Sequence, residues 1–238
     1  MSGWQTPVQT SGAVVSAEPR SRLLIGALGL GLIVDLAAVV HSASGLSLLE
    51  DYAQGSITEA DLAAWDTAFA KMGLLQGAVF IASAVIWLAW QHRLVASVAP
   101  LGLGAPTASP GKSILWWFVP FANLVMVYRI YSDLQAKFKI PGSLVLVWWL
   151  VYLLSGFVTQ VASRNWLREF ETVDDFNYGV SLWVASDVLS AISGAVAVFF
   201  VWRLQAGQSR AIDARGTLIE PPAATAVLTD AQPATVED

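Results

Sequence analysis

Between Ser109 and Leu134 the chain reads SPGKSILWWFVPFANLVMVYRIYSDL, apolar enough to enter a bilayer yet poorly suited to cross one as a regular helix. Its uncharged run, Ser113 to Tyr128, is shorter than the roughly 20 residues a helix needs to span the hydrocarbon. Pro120 removes a backbone donor near the middle and breaks or kinks a helix there. Beyond it, Arg129, Asp133 and Lys137 recur at helical spacing, with Ile130, Tyr131, Leu134 and Phe138 between them. That is the pattern of a helix half in water. Whether this segment crosses, dips and returns, or lies along one face decides the sidedness of everything after it.

The rest of the chain names the solvent. Hydrophobic residues make up 55% and charged residues 13%, where about 25% charged is usual for a soluble domain. Four other apolar runs are expected as membrane spans, at about 23–43, 72–94, 143–163 and 180–203. A signal peptide is the rival reading of the first run, since Ser42, Ala43 and Ser44 are small enough for cleavage. The long leader and Asp35 inside the run favour an uncleaved span. Thr58 and Asp61 have the spacing of a capping box, so a helix is expected to start near Thr58 and run into the second span. Gly73 and Gly77 form a GxxxG pair, and Ser186, Ser190 and Gly194 form a small-residue stripe in the last span. Residues 1–21 and 209–238 read as disordered cytoplasmic tails flanking a helical transmembrane domain over 22–208, with ordered structure ending at about Asp213.

Positive charge discriminates the topologies, because short cytoplasmic loops collect Lys and Arg. If the segment 113–134 crosses, the five-span arrangement puts six basic residues inside and seven outside. If it returns to the side it entered from, Arg129, Lys137, Lys139, Arg203, Arg210 and Arg215 move inside. Arg164 and Arg168 move out to join Lys71, and the bias is then ten to three. The expected fold is therefore an all-α integral membrane bundle, with four transmembrane helices plus one broken re-entrant or interfacial hydrophobic segment. Both termini are expected on the cytoplasmic side of a bacterial plasma membrane.

With those residues placed, the chain resembles a family of bacterial membrane proteins known as domain of unknown function 4328. The resemblance rests on Trp87, Trp90 and Arg93, on the run Trp116-Trp117-Phe118-Val119-Pro120-Phe121-Ala122-Asn123-Leu124, on the helix from Tyr128-Arg129 to Asp133-Leu134, and on Trp148-Trp149. It covers roughly Leu23 to Gln208. The chain departs from the family pattern at Val127, where a proline is usual, and at Asp133, where a glutamate is usual. The resemblance implies a membrane architecture and carries no activity, substrate or catalytic residue.

Asp35 and Asp187 are the two acids inside spans. A charge near the bilayer centre costs at least about 2.5–3.5 kcal/mol, so such residues face the bundle interior and often matter. Counted along their helices, both fall in the outer half, within about one helical turn of each other, ~5 Å. If they meet, adjacent carboxylates resist joint ionisation and one should hold a proton. They are the candidate proton or cation site; the bland alternative is two separate acids bonded to nearby Ser, Trp or backbone groups. Asn123 and Arg129 are the candidate polar contacts of the broken segment, with Asn123 closing backbone freed by Pro120 as the simpler role. His41 and His92 lie at opposite ends of their spans, which argues against a bis-histidine haem, and both read as interfacial residues.

No catalytic residue, metal site or cofactor is expected: the sequence has no phosphate-binding glycine loop, no HExxH and no cysteine. The net charge of −5 argues against a nucleic-acid partner. The expected partners are the lipid bilayer and other membrane proteins, and the leading functional expectation is a non-catalytic membrane module. The alternative is a small proton- or cation-coupled transporter using Asp35 and Asp187, which would require those acids to converge on a cavity at one depth.

Overall fold

A computed structural model describes residues 14–168 and 170–219. The described chain is helical throughout its ordered elements: α1 (Glu18–Ser44), α2 (Leu48–Ala53), α3 (Glu59–Ser97), α4 (Pro110–Leu115), α5 (Ala122–Lys137), α6 (Leu144–Trp166) and α7 (Val173–Ile219). A 3-10 turn, Trp116–Phe118, follows α4. Four helices are long and apolar enough to cross a membrane: α1, α3, α6 and α7.

Local chemistry sets where these helices begin. Pro19 sits in the first turn of α1, where its missing N–H costs nothing. At α3 the capping box forms: Asp61 N–H donates to Thr58 Oγ1 at 3.3 Å and Thr58 N–H donates to Asp61 Oδ2 at 2.8 Å. Thr172 plays the same part for α7, accepting from Asp175 N–H at 3.1 Å. Helix α1 thus begins at Glu18, inside the segment expected to be a tail, and α7 runs past Asp213 to Ile219. The reason lies in packing. Leu204, Gln208, Ala211 and Ile212 recur at helical spacing and keep α7 against the core, while Ala17 N–H is buried on Gln208 Oε1 at 3.1 Å. The remaining tail residues, 1–13 and 220–238, lie outside the described residues.

The bundle is antiparallel where it matters. Trp148, near the start of α6, stacks on Trp87 of α3 at 5.3 Å and on Phe200 of α7 at 4.3 Å. At the far end of the same helix, Trp166 packs on Phe69 of α3 at 4.9 Å. The end of α3 and the start of α6 therefore share one end of the bundle, and everything between them leaves and returns on that side. Ala17, Ser97 and Gln208 meet at the same end, so the start of α1 and the later turns of α7 lie there too. The broken segment does not cross.

Its break is local and visible. Val119 is extended, as a residue before proline should be. Phe121 then takes φ 60°, ψ −41°, and Ala122 N–H closes a tight turn on Pro120 O at 2.6 Å. This is a γ-turn with positive φ at a bulky residue, a strained geometry. Phe121 is 85% exposed, and Leu115, Phe118 and Val125 are exposed beside it. The limb after the turn, α5, buries Val127, Ile130, Tyr131 and Leu134 against α3, α6 and α7 and leaves Arg129 outside. Gly207 of α7 lets α5 end close against it, since a Cβ there would lie 2.8 Å from Phe138 Cβ.

The lipid-facing surfaces are apolar. Ile33 and Val40 of α1, Leu74 and Phe80 of α3, and Phe157 of α6 are largely exposed. Helix α3 is 39 residues long, about 58 Å at 1.5 Å per residue, against a hydrocarbon layer of about 30 Å. Its capped first turns therefore project beyond the layer.

Candidate functional site: an acid pair joined through Gln76

The two buried acids are joined by one amide. Gln76 of α3 directs its Nε2 to Asp35 Oδ1 of α1 at 3.1 Å and to Asp187 Oδ1 of α7 at 3.1 Å. The two N–H bonds of a primary amide suffice for both contacts. The second oxygen of Asp187 accepts from Ser42 Oγ at 2.7 Å. Asp187 is 3% exposed; Asp35 is half-buried. Among the described residues neither acid forms an ion pair, since the salt bridges there are Arg22–Glu18 and Lys137–Asp133.

A cavity of about 40 Å³ lies against this network, lined by Ala38, His41, Ser42, Phe69, Met72, Gly73, Gln76, Trp183 and Asp187. Two of these residues carry a buried nitrogen, His41 Nε2 and Trp183 Nε1, that has no hydrogen-bonding partner among the described residues. The His41 ring stacks on Trp65 at 5.2 Å, and Trp65 Nε1 donates to Ser44 Oγ at 3.1 Å. Phe69, Trp166 and Trp183 continue this aromatic layer across α3, α6 and α7. The site is thus acidic and polar on its floor and aromatic above, at the end of the bundle opposite the broken segment.

Chemically the arrangement can hold one small positive species. It has two carboxyl groups, one bridging amide and one hydroxyl donor, and a volume suited to a water or a bare ion. Among the described residues it has no nucleophile poised on a base.

The other candidates lie elsewhere. Asn123 donates its backbone N–H to Val119 O at 3.0 Å, and its side chain makes no hydrogen bond among the described residues. The backbone itself, rather than the Asn123 amide, closes the proline turn. Arg129 is exposed on α5 and is not brought to Asn123 by any hydrogen bond. The polar hub of the broken segment is Gln91 of α3. Its Oε1 accepts from Trp117 Nε1 at 2.8 Å and Tyr131 Oη at 2.7 Å, and its Nε2 donates to Ser113 O at 2.9 Å. Burial pushes the Tyr131 phenol well above its ordinary range, so it stays a neutral donor.

Sequence reasoning missed Gln76 and Gln91 and read His41 as merely interfacial. The signal for Gln76 was present: with Ser83 it is one of two polar side chains between Met72 and Leu88. The small-residue stripe of α7 faces α6 through hydroxyls, Ser186 to Thr159 at 2.8 Å and Ser190 to Ser155 at 3.3 Å. Gly73 and Gly77 meet no other helix: a Cβ at either would touch nothing within 4 Å.

No curated protein and no solved structure matches this chain. A family profile does, over residues 53–206, which takes in Gln76, Gln91, the broken segment and Asp187 but begins after α1 with its Asp35, His41 and Ser42. On that match the chain belongs to the family described as Domain of unknown function (DUF4328).

Proposed function

We propose that the protein is a small ion-coupled transporter of a bacterial plasma membrane, holding a proton or a monovalent cation between Asp35 and Asp187. The observation that carries this reading is the Gln76 amide, 3.1 Å from a carboxylate oxygen of each acid. One neutral amide does not offset two negative charges, and each charge at membrane depth costs at least about 2.5–3.5 kcal/mol. A proton or cation on the pair removes that cost, and its release restores it, which makes occupancy a switchable state. The ten-to-three distribution of Lys and Arg supports cytoplasmic termini, with the acid pair toward the outer leaflet.

The test uses the full chain in lipid nanodiscs. Infrared spectra should show a carboxylic C=O stretch from a protonated acid, or melting should shift upward with Na⁺ or Li⁺. Asp35→Asn and Asp187→Asn should each abolish that signal. If wild type shows neither a protonated carboxyl nor cation-dependent melting, the reading fails.

The open face around Gly77, with no packing partner for an added Cβ, favours a second reading: a non-catalytic membrane module that docks other membrane proteins or lipids. Substituting Gly77 by Leu should then reduce cross-linking to neighbours in native membranes. The transporter reading expects no such loss.

A further inference from the structure

The broken segment is ordered by depth. Trp149 and Tyr152 stand five and eight residues past Leu144, about 8 and 12 Å along α6 at 1.5 Å per residue. Trp149 Nε1 donates to Leu124 O at 3.0 Å, and the Trp117 ring lies 6.1 Å from Tyr152. The turn between Trp117 and Leu124 therefore reaches about 10 Å inward from the start of α6. Trp87 stacks on Trp148, and Gln91 lies one helical turn nearer the end of α3, level with that start. Both limbs are fastened there, Ser113 and Tyr131 to Gln91.

Exposure follows the same order. At the turn, Phe118, Phe121, Leu124 and Val125 are exposed. At the mouth, Lys112 and Arg129 are exposed, and neither forms an ion pair or a side-chain hydrogen bond among the described residues. From Ser109 to Lys139 the segment carries four cations and one acid. That acid, Asp133, is taken by Lys137 Nζ at 3.1 Å and Thr107 N–H at 3.0 Å. The strain at Phe121 has a place in this order. A glycine would take its positive φ without strain, and the phenyl ring gains little packing within the chain. An acyl layer is the surrounding that rewards an exposed ring there.

We propose that the broken segment is a wedge seated in one leaflet, its turn among the acyl chains and Lys112 and Arg129 on the phosphates of anionic phospholipids. A phospholipid has the same order along its length, an anionic phosphate at the surface and apolar chains beneath. An amphipathic element lying in an interface buries its apolar face about 5–10 Å, the depth reached here. Cations close to an anionic surface add an attraction that falls off within a Debye length. A soluble protein partner does not match, because the turn sits at the level of Tyr152, beside helices that cross the membrane. The acid pair lies at the other end of the bundle, so this contact stands or falls separately from it.

The test has two parts. The chain is released from nanodiscs holding equal amounts of phosphatidylglycerol and phosphatidylcholine, and the lipids that stay bound are weighed by native mass spectrometry. Phosphatidylglycerol should be retained preferentially. Lys112→Gln and Arg129→Gln should each lower that preference roughly fivefold. Both side chains are exposed and unpaired, so folding is unaffected. An unchanged preference in the double variant overturns the headgroup contact. So does loss of the preference in wild type when inorganic phosphate is added at constant ionic strength, which would mark a site for a free anion. For depth, Phe121→Cys carries a nitroxide in a chain with no other cysteine. Oxygen, which concentrates among acyl chains, should relax the label more than a water-soluble nickel chelate does. The opposite order places the turn in water and overturns the wedge.

Discussion

The hydroxyl of Tyr131 lies 2.7 Å from Oε1 of Gln91, and that contact fastens the second limb of the broken segment to the third helix. The first limb is fastened by the same side chain, through Trp117 and Ser113. One amide, itself 0% exposed, thus holds both limbs of a segment whose turn is strained at Phe121. Replacing Gln91 by Met keeps the volume and strands two donors and a carbonyl. The expected loss of stability is at least about 3 kcal/mol, since three groups are stranded and each buried unsatisfied group costs about 1–3 kcal/mol. Tyr131→Phe removes one of those donors and should cost about 1 kcal/mol. The double variant should cost less than the sum, because the two residues share one bond. Melting of the detergent-solubilised variants measures all three, and strict additivity would mean that the contact does not stabilise the segment.

Tyr131 also sets an alkaline limit. Burial raises its phenol above the ordinary value near 10, so the folded chain binds that proton more tightly than the unfolded chain does. The sign follows from linkage. The contribution is complete below about pH 10 and is lost as pH rises from there through the folded value. Stability of wild type should therefore fall more steeply above pH 10 than that of Tyr131→Phe. Tyrosinate absorbance of the folded wild type should retain an unionised phenol above pH 10 that Tyr131→Phe lacks. Equal slopes for the two proteins would show that folding does not raise the Tyr131 phenol.

Packing at the same end makes Gly207 hard to replace. In Gly207→Ala the new methyl would stand 2.8 Å from Phe138 Cβ and 3.2 Å from Ile140. The tip of Ile140 can swing aside, but Phe138 Cβ is fixed to its backbone, so the end of α5 must move away from α7. Overpacking of this kind costs about 1–3 kcal/mol, against a gain of about 0.5–1 kcal/mol from removing a helical glycine. A net loss is expected in melting. Gly77→Ala, on an open face, should show the gain alone. Equal effects from the two would mean that the end of α5 is not tightly seated.

The contrast between what the sequence displayed and what it hid follows from the distance between interacting residues. The Thr58–Asp61 cap, the four spans and the proline break are local and were readable directly. The return of the broken segment to its own side was readable from charge alone, because Lys and Arg record sidedness along the whole chain. Gln76 was not readable as a bridge, since its meaning depends on how α3 is rotated between α1 and α7, and no pattern in α3 fixes that angle. The GxxxG pair at Gly73 and Gly77 was readable but meets no helix within the chain. The buried glutamines at 205 and 208 look like the start of a polar tail. They are polar because they bond Trp90, Ser97 and the backbone of Ala17 inside the bundle.

Because the chain has no cysteine, its sidedness can be read with single introduced cysteines and a membrane-impermeant maleimide on intact cells. Glu59, Lys139 and Glu171 are all exposed, so labelling reports side rather than burial. Glu59→Cys and Glu171→Cys belong to the end of the bundle that carries Phe69 and Trp166, and they should label. Lys139→Cys follows the broken segment and should be protected until the cells are opened. Arg22→Cys, at the start of α1, should behave like Lys139→Cys. Labelling of Lys139→Cys together with Glu171→Cys would mean that no crossing separates them, and the four-crossing bundle would fail. The inverse pattern, with Lys139→Cys and Arg22→Cys labelled and the other two protected, would keep the bundle and reverse its orientation. It would also move the acid pair to the cytoplasmic half, because Asp35, Gln76 and Asp187 are fixed to the Phe69 end by the geometry of α1, α3 and α7.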